Sequence, residues 1–236
     1  MRKMKTRMDN EAAKEMLNEV FSNVGKHYGY ANVSADFVAF KQFKVQWQRS
    51  YNWISFRISD YMVDAPENVM EDLANSLFEK ISGQKGQYSS GMRDWVLSDE
   101  FSISKRPTFI KRGRYLSSGS EGEYKDLDDA IGRLVANGML PYDHNIAAVW
   151  NRDTRTDLAA TYSVLMRTIM VSSALDEPDT PDSTLDYVIY NQYLRIKENA
   201  RVFGTDEEPK KNFDEDLSFP GYMDAENELD RLCLAL

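Results

Sequence analysis

The chain has 236 residues, a formal net charge of −9 and a hydrophobic content of 42%. This content is sufficient for a sizeable core, and we predict a single domain spanning residues 1–236. The acidic balance disfavours nucleic-acid binding by the surface as a whole, although it leaves open a local basic patch.

The cysteine count and the hydropathy profile indicate in which cellular compartment the protein is found. Cys233 is the only cysteine, so an internal disulfide and a Cys-rich metal site are excluded. We expect Cys233 to be a small core residue, and we predict a reducing, cytoplasmic location. No apolar run reaches the length of a membrane span, so we predict no membrane association.

The first predicted elements are a helix and a β-hairpin. Asp9–Val24 has apolar residues at helical spacing, and Gly25 is a natural helix stop. We interpret His27–Asp36 as a loop. Phe37–Gln48 and Trp53–Ser59 alternate apolar and polar residues on either side of a four-residue turn, which predicts a hairpin.

A strand-loop-helix unit is predicted over residues 53–82. Its helix opens at Pro66 and carries an apolar stripe as far as Ile81. A similar unit covers residues 166–197, where the strand Met166–Ala174 precedes a second Pro-started helix. Pro66–Ile81 aligns on Pro181–Ile196 without gaps, so two degenerate repeats are one interpretation. The alternative is that strand-loop-helix units simply look alike.

A basic segment lies between these units, over residues 105–114. Its cations are Lys105, Arg106, Lys111, Arg112 and Arg114. They could bind a phosphate backbone or an acidic partner. We favour the alternative of a solvated strand whose charges offset the acidic stretch Glu121–Asp129.

The second half is predicted to add a helix over Asp126–Ala136 and a short strand over Ala147–Asn151. Thr180 suits the N-cap of the following helix, with Pro181 at its first position. This helix buries an apolar stripe and continues to about Val202. The stripe consists of Leu185, Val188, Ile189 and Ile196.

Four segments occur in this order: Ser172-Ser-Ala-Leu-Asp176, the Pro181 helix start, Leu185-Asp-Tyr-Val-Ile-Tyr190 and Phe219-Pro-Gly-Tyr222. This order resembles the SprT-like and WLM-like zincin metallopeptidases and their archaeal relatives. The resemblance implies a zincin-like α+β fold with a mixed β-sheet and packed helices. It also implies that the helix carries the metal motif HExxH. The positions of its His, Glu and His are occupied here by Asn191, Gln192 and Arg195.

These three residues cannot perform the chemistry of HExxH. Two neutral imidazoles one turn apart bind zinc, and the glutamate accepts a proton from the metal-bound water. Asn191 is a weak zinc ligand, Gln192 is no base, and Arg195 brings a permanent positive charge. The third ligand implied by the resemblance is also missing, with Pro209 at about its place. The chain's two histidines, His27 and His144, are remote from this helix in sequence.

We therefore predict a zincin-like pseudoenzyme that has no catalytic residue, metal or cofactor and that binds a protein partner. We expect Arg195 to pair with a carboxylate of Glu207, Glu208, Asp214 or Glu215, or with the start of a last helix over Asp224–Leu236. Two alternatives stay open. One is a metal-dependent hydrolase in which those acidic residues and Glu198 bind magnesium or calcium. The other is nucleic-acid binding through residues 105–114.

Overall fold

A computed structural model describes residues 2–153, 155, 157–205 and 218–236, without the side chains of residues 2–9. The chain divides into two compact units, Met1–Val96 and Leu97–Leu236, and each has its own hydrophobic core. The fold class is α+β, as predicted. The prediction that both units form one domain stays a prediction. None of the helices in the described ranges has the length and apolar character needed to cross a bilayer.

The first unit consists of a three-stranded mixed sheet and three helices. Its elements are α1 (Arg2–His27), β1 (Asn32–Val38), β2 (Val45–Arg49), β3 (Trp53–Ser59), α2 (Glu67–Ile81) and α3 (Ser90–Val96). The central strand, β3, runs parallel to β1 and antiparallel to β2. The predicted hairpin is present as β2–β3, but its first strand begins at Val45 rather than at Phe37, because Phe37 and Val38 belong to β1. The loop predicted over His27–Asp36 is partly wrong, because its second half forms β1.

The second unit has the same strand pairing and four helices in its described part. Its elements are α4 (Asp99–Arg112), α5 (Leu127–Ala136), β4 (Ala147–Asn151), β5 (Ala160–Ser163), β6 (Thr168–Ser172), α6 (Asp182–Thr205) and α7 (Tyr222–Arg231). The central strand, β6, runs parallel to β4 and antiparallel to β5. The mixed sheet and the burial of Leu185, Val188 and Ile189 confirm what the strand and helix patterns predicted.

The two units share details beyond strand pairing. In each, the central strand leads directly into a 3-10 turn, Asp60–Met62 or Ser173–Leu175, and a proline then precedes the helix. When Pro66 is placed on Pro181, every buried position of α2 falls on a buried position of α6. The positions in α2 are Val69, Met70, Leu73, Ala74, Ser76, Leu77, Phe78 and Ile81, and those in α6 are Thr184, Leu185, Val188, Ile189, Asn191, Gln192, Tyr193 and Ile196.

The end of α1 lies later than predicted. Gly25 is inside the helix, and the chain turns at Gly29, whose φ of 83° is in the left-handed region that favours glycine. Gly25 has a packing role instead, because a Cβ there would lie 2.6 Å from Val33 Cγ2 and 2.8 Å from Phe78 Cζ. The absence of a side chain therefore lets α1 approach the sheet and α2.

We expect Gly25→Ala to lower the free energy of unfolding by about 1–2 kcal/mol, because overpacking strain exceeds the gain in helix propensity. The matched control is Gly132→Ala in α5, where an added Cβ meets no atom within 4 Å. The free energy of unfolding of Gly132→Ala should rise by up to about 1 kcal/mol. Urea denaturation of both variants measures the difference, and a stabilised Gly25→Ala variant would contradict the close approach.

Two terminal features differ from the prediction. The last helix ends at Arg231, and residues beyond it form a turn in which Cys233 is exposed with a φ of 55°. The core role predicted for Cys233 is therefore wrong. The chain end instead pairs with the strand region before β5, where the Ala235 amide donates to the Asp157 carbonyl at 2.6 Å.

The predicted cap of α6 is shifted by one residue. The helix begins at Asp182, and the carbonyl of Pro181 accepts from the amides of Thr184 and Leu185. The Thr180 hydroxyl is buried and makes no hydrogen bond, so it does not cap the helix. Pro181 is therefore the capping position, as Pro66 is for α2.

Candidate functional site

The three degenerate motif positions lie together in the middle of α6. Asn191 and Gln192 are buried, and Arg195 is partly buried one turn further on. Their burial follows from the position of α6, which packs against α5, β5, β6 and α7. The structure thus places these side chains inside the unit, on the helix that the resemblance identifies as the motif helix.

Arg195 and Asn191 are hydrogen-bonded to each other. The Arg195 Nε donates to the Asn191 Oδ1 at 2.6 Å, across the four-residue spacing that brings helical side chains together. This bond joins the two positions that hold the zinc-binding histidines in HExxH. The Asn191 oxygen is engaged by a cation, and a guanidinium has no lone pair for a metal.

The carboxylates predicted to pair with Arg195 lie mostly outside the described residues. This applies to Glu207, Glu208, Asp214 and Glu215, and also to Pro209. Within the described part, Glu198 pairs with Arg201 at 2.7 Å. Among the described residues, no group of three or more His, Cys, Asp or Glu side chains is placed to hold a metal ion.

We expect Arg195→Ala to destabilise the protein by about 1–2 kcal/mol, because it removes a charge-assisted hydrogen bond to the buried Asn191. Arg195→Lys keeps the charge but lacks the planar fork, so it should recover only part of this loss. Chemical denaturation of the two variants measures the effect. An Arg195→Ala variant as stable as the parent would show that the Arg195–Asn191 bond has no structural role.

Polar and aromatic contacts fix the far side of α6. The Tyr193 hydroxyl donates to the Pro141 carbonyl at 2.8 Å, while burial and the nearby Asp143 raise the pKa of Tyr193 to about 12. Lys197 forms an ion pair with Asp143. The Tyr187 hydroxyl donates to Glu226 of α7 at 2.5 Å. These contacts hold α6 against its neighbours, so the motif positions have a fixed orientation.

The predicted Phe219-Pro-Gly-Tyr222 ending packs on the same helix. Phe219 is buried, and its ring centroid lies 5.2 Å from that of Tyr187 and 5.4 Å from that of Tyr190. Gly221 has a φ of 78° at the start of α7, a conformation that glycine adopts without strain. The chain therefore returns to α6 after the segment that lies outside the described residues.

Asp176, which no sequence pattern singled out, organises the approach to α6. Its carboxylate accepts hydrogen bonds from the amides of Glu123, Tyr124 and Lys125 at 2.6–3.0 Å. A Cβ on Gly122 would lie 2.5 Å from both carboxylate oxygens, so only glycine fits there. The aspartate after a buried strand and the glycine in a polar loop were visible signals, but their pairing is not local.

The corresponding face of α2 in the first unit is covered by its own chain. Ser76, which aligns with Asn191, donates to the Gln87 carbonyl at 2.6 Å. A Cβ on Gly86 would lie 2.3 Å from the Ser76 carbonyl oxygen, and the Lys80 ammonium lies 4.2 Å from the Tyr88 ring centroid. The segment after α2 therefore closes this face, and no open cleft is left at Ser76.

The basic segment is a helix, so the predicted strand is wrong. Ser98 caps α4 by accepting from the Phe101 amide at 3.1 Å, and Pro107 lies inside the helix. Lys105, Arg106, Lys111 and Arg112 lie on α4, and helical spacing spreads them over more than half of its circumference. The cations therefore do not converge on one face. Arg114 follows the helix and lies over the Tyr115 ring at 5.3 Å.

The Arg106 side chain makes hydrogen bonds within the second unit. Its Nε donates to the Met166 carbonyl at 2.9 Å, and its guanidinium also donates to the Asn145 carbonyl. Burial, followed by the neighbouring Arg167, lowers the pKa of Arg106. This arginine joins α4 to the turn before β6 and is not presented to a ligand.

Comparison with protein-family models, curated proteins and solved structures finds no match for this chain.

Proposed function

We propose that this chain is a non-catalytic zincin-like protein that acts by binding a protein partner. The observation that carries the proposal is the hydrogen bond between Arg195 and Asn191 on the buried motif helix. In a zincin peptidase these two positions bind the metal, whereas here they bind each other. Gln192 stands at the position of the catalytic glutamate and cannot accept a proton from water.

The architecture around α6 supports this assignment. A buried central strand of a mixed sheet leads through a 3-10 turn into the proline-started helix, in the order that the resemblance implies. We further propose that the two units are degenerate copies of one element. Their identical strand pairing and the coincidence of buried positions in α2 and α6 support that duplication.

A peptidase assay with and without a chelator tests the proposal. We expect no cleavage of unfolded protein substrates, and no difference when the chelator is added. Chelator-sensitive cleavage by the unmodified protein would overturn the non-catalytic assignment, because it would require a metal held by other ligands.

A triple variant tests whether the motif positions are equivalent to those of HExxH. The combination of Asn191→His, Gln192→Glu and Arg195→His rebuilds the motif on α6 but provides no third histidine. We expect weak zinc binding with a dissociation constant that rises as pH falls, because imidazole must be neutral to bind. Zinc binding equal to that of the parent would show that the three side chains do not converge.

A further inference from the structure

The two units differ strongly in charge. Residues 1–96 carry 13 Lys and Arg against 12 Asp and Glu, whereas residues 97–236 carry 16 against 26. Within the first unit, residues 37–59 contain Lys41, Lys44, Arg49 and Arg57 but no Asp or Glu. The β2–β3 hairpin is therefore a basic surface in an otherwise acidic protein, and all four cations are exposed.

The outward face of this hairpin is polar and carries an aromatic ring. Along β3 the outward side chains are Trp53, Ser55 and Arg57, because Ile54, Phe56 and Ile58 are buried. On β2, Gln46 lies opposite Arg57 and Gln48 lies opposite Ser55. We call this set, together with Lys44, the hairpin face. Trp47 lies opposite the buried Phe56 and therefore on the other side of the sheet.

A shallow depression of about 420 Å³ lies on the hairpin face, lined by Gln46, Trp47, Gln48, Ser55 and Arg57. Trp53 keeps 40% of its surface exposed. A half-exposed tryptophan beside amide side chains provides flat apolar surface together with hydrogen-bond donors and acceptors. That combination suits a planar polar ring.

Two cations are held side by side at one end of the hairpin face. Lys44 Nζ lies 4.7 Å and Arg57 Cζ lies 5.5 Å from the centroid of the Phe40 ring. Arg57 also donates to the Gln46 side-chain oxygen at 3.3 Å. The neighbouring carboxylate of Asp36, opposite Arg57 in the parallel pair, is in an ion pair with Lys14. Arg49 points elsewhere and donates to the Ile81 carbonyl at 3.0 Å.

We propose that the hairpin face binds single-stranded nucleic acid. Lys44 and Arg57 contact phosphates, Trp53 stacks on a base, and Gln46 and Gln48 hydrogen-bond to base edges. Trp53 and Arg57 are four residues apart on one strand, about 13 Å, so stacking and phosphate contacts fall on different nucleotides. An acidic polypeptide would need the cations but would not explain the exposed tryptophan beside the amides.

Fluorescence anisotropy with a labelled oligo-dT of roughly 16 nucleotides tests this on the full chain. We expect binding that weakens as salt rises. Lys44→Gln with Arg57→Gln should reduce affinity about tenfold and make the slope of log affinity against log salt shallower by about 1.4, or 0.7 per phosphate contact. Trp53→Ala should weaken binding about tenfold with the salt slope unchanged.

The matched control is Lys111→Gln with Arg114→Gln, which removes the same charge from exposed positions of the basic segment. Its affinity should equal that of the parent. The proposal fails if the parent does not bind oligo-dT at low salt, or if the control loses as much affinity as the hairpin variant. It also fails if Trp53→Ala has no effect and polyglutamate displaces oligo-dT at equal charge, because the face would then be a general polyanion site.

Discussion

Replacing Trp150 by alanine is expected to lower the free energy of unfolding by about 4 kcal/mol. Trp150 lies on β4 and is the largest fully buried side chain in the part of the chain that the structure describes. Its Nε1 donates to the Ser120 carbonyl at 2.8 Å, and its backbone amide donates to the Ser117 hydroxyl at 2.9 Å. The substitution removes apolar burial, leaves a cavity in the core of the second unit and deprives a carbonyl of its donor.

Two control variants separate these contributions. Trp150→Phe keeps an aromatic ring but removes the indole N–H, so it should lose about 1–2 kcal/mol. Trp53→Ala removes the same side chain from a half-exposed position and should cost less than about 1 kcal/mol. Urea denaturation measures all three. A Trp150→Ala variant no less stable than Trp53→Ala would contradict the core position of β4.

Arg133→Ala is expected to destabilise the second unit by about 2 kcal/mol at neutral pH, between the values for surface and buried ion pairs. Arg133 on α5 donates from Nε to both Asp186 oxygens at 3.1 Å and from a terminal nitrogen to one of them at 2.6 Å. Only 13% of the Asp186 side chain is exposed. The variant leaves this carboxylate without its arginine, between α5 and α6.

The deficit of Arg133→Ala should shrink in acid. Burial raises the pKa of Asp186 above its ordinary value, and Arg133 opposes that rise. Without Arg133 the pKa rises further, so the folded variant binds the proton more tightly than the unfolded chain. Its stability relative to the parent therefore falls as pH rises through the pKa of Asp186 and recovers as pH falls.

Unfolding at neutral pH and at about pH 4, close to the ordinary pKa of an aspartate, measures this dependence. Arg231→Ala is the control, because Arg231 also donates two bonds to a carboxylate, that of Glu228, but its side chain is 59% exposed, against 35% for Arg133. Its loss should be below about 1 kcal/mol. A pH-independent deficit for Arg133→Ala would show that the charge of Asp186 does not contribute.

The helices with a regular apolar stripe were predictable from sequence. For α2, α5 and α6 the 3.6-residue period coincides with a proline or an aspartate cap at the start. Asp126, for example, caps α5 by accepting from the Asp128 amide at 2.8 Å. Local signals of this kind need no knowledge of the rest of the chain.

The basic segment shows where sequence patterns mislead. Its mixture of cations and aromatics around Pro107 is typical of an edge strand, because a proline interrupts helical hydrogen bonding. The helix forms nevertheless, since Ser98 caps it and Phe101 and Phe109 are buried. Tertiary packing of two aromatics eight residues apart outweighs the loss of one backbone bond.

Of the contacts at the candidate site, one is local in sequence and another is not. The four-residue spacing of Asn191 and Arg195 on one helix makes their contact a local property, although the sequence led to the prediction of a carboxylate partner for Arg195. The contact between Asp176 and residues 123–125 joins segments about fifty positions apart. No periodicity or cap predicts such a pairing, because it depends on how β6 and the loop before α5 are placed.

The metal content of the unmodified protein tests the central claim most directly. The purified chain is equilibrated with excess zinc, and unbound metal is then removed. The zinc that stays bound is measured by elemental mass spectrometry. We expect far less than one zinc per chain, because Arg195 and Asn191 are bonded to each other where the metal ligands would stand. One tightly bound zinc per chain, whose removal by a chelator also lowers stability, would contradict the non-catalytic assignment.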